Sequence, residues 1–340
     1  MKLLLLLIPA MLVALPAGAQ DANKAGTTAA QFLKIGVGAR SMGMAGASAG
    51  ITDDASAMYW NPSGMIGVSS ITVYATHSNW FADISHQFFG VVLPLGDDHR
   101  IGLNATLLSM GDIEVTTEQE PRGTGTFFKA SDVAVGISYA GRLVDFFSFG
   151  VTVKYITQSI YNETGSAIAV DLGTTLHTGY KGITVGMAFS NFGTTMQLEG
   201  RDLHRTFDPN PNNATNTGVS SDLATESWDL PVNFRVGIGW ELVGATQALF
   251  TDEGNRVRFA VDANHPNDGP EHASTGIEYT WQDIVSLRSG YHFNDDLRSW
   301  SYGLGLSWGT PGAFAFGLDY AFSDMDRLGG THVFSLGVRF

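Results

Sequence analysis

From about residue 69 to its last residue the chain alternates apolar side chains with small or polar ones, in long runs. Phe147, Phe149, Val151, Val153 and Tyr155 interleave with Ser148, Gly150, Thr152 and Lys154. Tyr302, Leu304, Leu306 and Trp308 enclose Gly303, Gly305 and Ser307. Period two gives a strand two different faces. A soluble sandwich uses strands of about 5–6 residues, whereas a tilted strand needs about 9–11 to cross a bilayer. Many runs here reach the second length. The expectation is an all-β chain: a transmembrane antiparallel barrel, apolar outside, with a wet lumen that tolerates Lys154, Arg235, Arg258, Asp262, Glu278, Arg288 and Asp319.

The alternation divides at approximately 69–77, 84–95, 99–110, 129–142, 146–158, 165–179, 182–193, 230–243, 256–264, 272–281, 283–292, 298–308, 312–321 and 329–340. These are about 14 strands, an even number, as bacterial barrels have. Connections after even-numbered strands are mostly tight, such as Gly96-Asp97-Asp98 and Gln282; the link at 244–255 is longer. Connections after odd-numbered strands include the long segments 111–128 and 194–229. Short periplasmic turns and long external loops follow this rule. Both barrel ends then fall in the periplasm, where the N-terminal segment is expected to begin. The last strand places Phe334, Leu336, Val338 and Phe340 on one face. Trp80, Phe81, Trp228, Trp240, Trp281, Trp300 and Trp308 fall near strand ends, as an interfacial girdle would.

Composition agrees. Only 15% of the 340 residues are charged, 41 are glycine and none is cysteine. The formal charge of −14 argues against nucleic acid, whose phosphates demand a basic face. Lys2, the apolar run Leu3 to Val13 and Ala17-Gly18-Ala19 read as a secretory signal peptide over 1–19, with maturation near Gln20. No cysteine follows, which excludes a lipoprotein. No run is apolar enough for a membrane-spanning helix.

Residues 20–68 break the strand pattern, and the barrel is expected over 69–340. Ala29 to Leu33 predict a short helix, capped by Thr27 or Thr28. Gly36-Val37-Gly38 has no preceding strand, so it is no dinucleotide site. Asp53, Asp54, Ser56, Tyr59 and Trp60 lie on one or two predicted helical turns, which Asn61, Pro62 and Gly64 end, with Gly64 able to take positive φ.

The runs AGTTAAQFLKIGVGARSMGMAGA and DDASAMYWNPSGM resemble the N-terminal region of the PorV/PorQ family of outer-membrane proteins, whose architecture is FadL-like. Asn61-Pro62-Ser63-Gly64 matches the Asn-Pro-Ala/Ser-Gly element of both groups. The resemblance implies a fourteen-stranded barrel with residues 20–68 folded inside as a plug. It also implies a role related to type IX secretion: binding secreted cargo proteins through their C-terminal signal domain, with other secretion-system components as partners. The alternative it leaves open is a FadL-like transporter of hydrophobic small molecules. In that case Tyr59, Trp60, Met42, Met44, Met58 and Met65 become candidate ligand-facing plug residues.

No catalytic motif, cofactor or regular metal spacing is visible, so no enzyme is expected. Asp208-Pro209-Asn210-Pro211-Asn212-Asn213 is dense in oxygen donors and is the one calcium candidate. The loops 111–128 and 194–229 are the expected external contact surface, and outer-membrane lipid surrounds the barrel.

Overall fold

The computed structural model describes residues 24, 26–208, 218–309 and 314–340. The signal-peptide expectation and residues 209–213 of the calcium candidate lie outside the described residues.

The alternating segments become fourteen antiparallel barrel strands. In chain order they are β1 Thr72–Asn79, β2 Ser85–Leu95, β3 His99–Ser109, β4 Ala130–Val144, β5 Phe147–Ile160, β6 Glu163–His177 and β7 Ile183–Gly193. There follow β8 Asn233–Gly244, β9 Asn255–Pro266, β10 His272–Trp281, β11 Val285–Phe293, β12 Trp300–Gly309, β13 Ala315–Asp324 and β14 Gly330–Arg339. Each pairs with its sequence neighbour, and β14 returns to β1 in the register Thr72↔Arg339 to Asn79↔His332. Closure leaves the ladder no free edge, the condition for sheet in a membrane. The short segments Met196–Gly200, Ser227–Trp228 and Phe250–Thr251 add to the rims.

Side-chain parity is as the pattern predicts. Leu103, Ile137, Val153, Ile168, Leu287 and Leu304 point outward and are exposed. So large an apolar belt is a liability in water and a requirement in lipid. Arg235, Asp262, Glu278 and Arg288 point inward and are buried. In the lumen the burial comes from a second body: residues 36–66 pack against the wall through two short helices and a 3₁₀ helix.

Both long connections leave strands of odd number, β3 and β7, and carry small hairpins such as Ile113–Glu114 with Phe127–Phe128 and His204–Phe207 with Val219–Asp222. That end of the barrel is external by the loop rule.

Candidate functional site

The lumen segment descends from the external end to the periplasmic end. At the top, the Ala29 amide donates to the Asp229 carbonyl at 2.9 Å and the Ala30 amide to Gln158 Oε1 at 2.8 Å. The predicted helix here is a 3₁₀ turn, Gln31–Lys34, led by Ala30 in the left-handed region and without a side-chain cap. The Thr28 hydroxyl, a cap candidate, is instead committed to Asp268 at 2.6 Å. A start on the periplasmic side is therefore not what the geometry shows: Thr28 to Lys34 sit among the external loops.

Lower down, α1 (Ala39–Gly43) runs along β12 to β14, its first amide donating to Ser335 Oγ at 2.8 Å. The Ser48 and Ala49 amides share Asp262 Oδ2, each at 2.9 Å. Then α2 (Ala57–Trp60) and a 3₁₀ helix (Pro62–Gly67) bring the chain to the periplasmic end against β4 to β6. Arg100 closes this end from β3, donating to the carbonyls of Val68 and Gly96.

The seat for this segment is made of glycine. At Gly276 an added Cβ would lie 2.6 Å from Met44 Cβ and 2.7 Å from its carbonyl oxygen. At Gly303 it would lie 3.2 Å from the Gly43 Cα, and at Gly90 2.7 Å from the Met58 methyl. Gly150 and Gly173 admit Pro62, Ser63 and Asn61; Gly186 and Gly237 admit Ala49. These are inward positions on strands all round the barrel. A strand-interior glycine often marks a close approach of another backbone. The glycine count was visible in the sequence, but its meaning needed the inward parity of each position.

Asp53 to Met65 form the lower half of the plug. Asp54 Oδ1 takes the Ser56 amide at 2.8 Å and hydroxyl at 2.6 Å, closing the turn into α2. Asn61 is extended, φ −162°, as a residue before proline should be, and fully buried. Its Nδ2 donates to Ala49 O at 2.8 Å and Thr174 O at 3.1 Å, while its Oδ1 accepts the Ser63 hydroxyl at 2.7 Å. One side chain thus stitches two plug segments to β6. Gly64 does not take positive φ; it sits inside the 3₁₀ helix, pressed against the Thr52 carbonyl. Its lack of a side chain serves close packing, not a turn.

Tyr59 and Trp60 meet edge to face with centroids 5.0 Å apart. The Trp60 indole N–H donates to Val37 O at 2.8 Å, and the Arg235 guanidinium lies over its ring at 4.6 Å. Met42, Met44, Met58 and Met65 are all buried, filling gaps between plug and wall. The arrangement is that of a packed core, which polarizable methionine suits.

A charge network crosses the same interface. Arg40 binds Glu278 through Nε at 2.9 Å and Nη2 at 3.0 Å, and Asp53 and Asp54 through Nη1. Arg258 bonds Asp53 at 2.9 Å; Arg288 bonds Glu278 at 2.7 Å and Asp319 at 2.6 Å. Enclosure pushes the Asp53 carboxyl up, but Arg258 and Arg40 outweigh it and hold it well below the usual carboxylate range. Beside the network a cavity of about 310 Å³ opens at the periplasmic end, lined by Asp53, Arg142, His177, Trp240, Glu241 and Arg258. Sequence reasoning placed Arg258, Glu278 and Arg288 in the lumen but missed Arg40, which lies within the run that carries the family resemblance yet has no local signal of a charge partner. Among the described residues no group of three or more acidic or histidine side chains is placed to hold a metal.

Residues 18–262 match the family model described as type IX secretion system protein PorV. Among solved structures the chain is similar to the CymD monoaromatic hydrocarbon channel, at 14% identity, TM-score 0.58, covering 89% of this chain and 96% of that one. It is similar also to the P. putida toluene transporter TodX (12%, TM-score 0.58, 90% and 99%) and to a Pseudomonas aeruginosa FadL homologue (12%, TM-score 0.53, 89% and 98%). At such identities the likeness is one of fold, a FadL-like outer-membrane barrel. No curated protein sequence matches the chain.

Proposed function

The chain belongs to the family of the type IX secretion system protein PorV, and from that premise we propose a non-enzymatic outer-membrane barrel that binds partner proteins at its external loops during secretion or surface attachment. Its parts are a signal peptide over 1–19, a plug over 20–68 and a barrel over 69–340. The partners are secreted cargo with a C-terminal signal domain and other components of the secretion system.

The observation that supports this reading is a lumen occupied by closely seated backbone and a charge network, beneath long external connections at 110–129 and 194–232. A barrel built this way offers a rigid outer platform, the arrangement in which loops on a fixed scaffold carry function. The plug residues Asp53, Asp54, Ser56, Tyr59, Trp60, Asn61, Pro62 and Gly64 serve that rigidity, and Met42, Met44, Met58 and Met65 pack it. Passage of a hydrophobic solute, the FadL-like alternative, needs a continuous apolar path; the cavity beside the plug sets Asp53, Glu241, Arg142, Arg258 and His177 among Ile51, Ile66, Ile183 and Trp240, so charge interrupts it.

The test is affinity purification from the native outer membrane. Recovery of secreted proteins sharing a C-terminal domain, or of secretion components, and loss of both on shortening 194–232, is the expected result. Unchanged secretion in a deletion strain together with lost uptake of an apolar solute would overturn the proposal and favour the transporter.

A further inference from the structure

The uppermost part of the plug is attached differently from the rest. Below Gly36 the segment is seated against barrel wall, glycine to backbone. Above it, Thr27–Ile35 is held by loops and strand ends of the external side. Lys24, Gly26 and Thr27 are exposed there. Thr28 bridges Asp229 as a short parallel pair, and Ala29 donates to the Asp229 carbonyl. On the underside Phe32 and Leu33 rest on a cluster with Leu108, Ile156 and Leu230.

Three of the side-chain bonds converge on one group. Asp268, in the connection 267–271 between β9 and β10, has a carboxylate with no exposure. It accepts from the Thr28 hydroxyl at 2.6 Å, from Gln31 Nε2 at 2.7 Å and from Lys34 Nζ at 2.9 Å. All three donors belong to the same short segment, and among the described residues no other side chain bonds Asp268. A buried carboxylate is tolerated only when paired and hydrogen-bonded, so segment and aspartate each depend on the other. Replacing the carboxylate by an amide removes the charge that Lys34 pairs with and turns one acceptor oxygen into a donor, so the three bonds cannot all be kept. What then holds the segment is the apolar contact of Phe32 and Leu33, the Ala29 and Ala30 amides on Asp229 and Gln158, and the Tyr59 hydroxyl on the Leu33 carbonyl at 3.1 Å.

We propose that Thr27–Ile35 is a lid over the external mouth of the lumen, that Asp268 is its catch, and that the lid lifts from 267–271 while the plug below Gly36 stays seated. The device needs no cargo and holds whichever solute or protein the barrel serves.

The absence of cysteine from the chain makes single reporters clean. Thr27→Cys and Leu33→Cys variants are treated on intact cells with a membrane-impermeant maleimide. Thr27→Cys is expected to label without permeabilisation. Leu33→Cys is expected to stay protected, then to label severalfold faster once Asp268→Asn is added. Reaction of Thr27→Cys only after the outer membrane is opened overturns the external placement. Equal protection of Leu33→Cys with and without Asp268→Asn overturns the catch. Retention of heat-modifiable gel mobility establishes that each barrel is folded. Should Asp268→Asn fail that check, Thr28→Val with Lys34→Met removes two of the three donors and leaves the loop intact; unchanged protection in that variant overturns the catch equally.

Discussion

At the scale of single residues, the plug is held by a few side chains whose chemistry has no near substitute. Asn61 combines two amide donors with a carbonyl acceptor, all in use and all buried. Asn61→Ala takes the donor from the Ala49 carbonyl, at about 1–3 kcal/mol for a group left unsatisfied, and cuts the plug's link to Thr174 of the β5–β6–β7 ladder. We expect the folded barrel to survive and the plug to loosen, seen as proteolysis within 45–67 at protease levels that leave the parent intact. Gly276→Val tests the seat from the other side. The added carbons meet Met44 backbone, which cannot swing away, and overpacking of this kind costs roughly 1–3 kcal/mol. Asp268 makes a pH prediction. Burial raises its carboxyl, but Thr28, Gln31 and Lys34 together hold it below the ordinary value. A group depressed on folding stabilises above its unfolded pKa and loses that contribution as pH falls through the folded one. The segment 27–35 should therefore stay shut across neutral pH and loosen only in acid, with hydrogen exchange of the Ala29 and Ala30 amides as the readout.

At the scale of elements, strand and plug were legible to different degrees, for a physical reason. A barrel strand stands between lipid and lumen, so every position declares its side and period two persists for the length of the strand. Hence 84–95 and 99–110 fall within a residue or so of Ser85–Leu95 and His99–Ser109. Of the plug helices, Ala57–Trp60 falls within the turns predicted before Asn61-Pro62, whereas Ala39–Gly43 declares nothing, because it is surrounded by protein on every side and its geometry is imposed by the wall. The turn at Asn61-Pro62 was readable from proline sterics; the role of Gly64 was not, since close approach depends on a Thr52 neighbour no local rule supplies. Arg40 shows the same limit. Its partners Asp53 and Glu278 are 13 and 238 positions away. Removing one partner of a buried ion pair costs about 3–5 kcal/mol, chiefly because the other charge is left alone. Glu278 keeps Arg288 and Asp53 keeps Arg258, so Arg40→Met should fall at the low end of that range. The expected phenotype is greater sensitivity to detergent and bile salts, with secretion retained at low temperature. Wild-type sensitivity would mean that the network is not what seats the plug.

At the scale of the whole molecule, barrel and plug are separable in principle, because among the described residues no barrel strand borrows a pairing partner from the lumen. The ladder runs β1 to β14 and back to β1 without the segment 26–71. The inward face, by contrast, was shaped for an occupant: glycines where backbone enters, and Arg235, Asp262 and Glu278 where the plug supplies hydrogen bonds or counter-charges. Emptied, such a lumen fills with water, and charged walls that are costly when buried are then solvated at little cost. Deleting 26–67 behind the signal peptide should therefore leave a barrel that inserts and shows heat-modifiable mobility, yet conducts ions in planar bilayers where the full chain conducts almost none. A deletion variant that fails to insert would show that the plug is needed to fold the wall, and the glycine seat would then be a folding template. A variant that inserts and stays closed would place the barrier to ions in the external loops, which is where partner binding is proposed to occur.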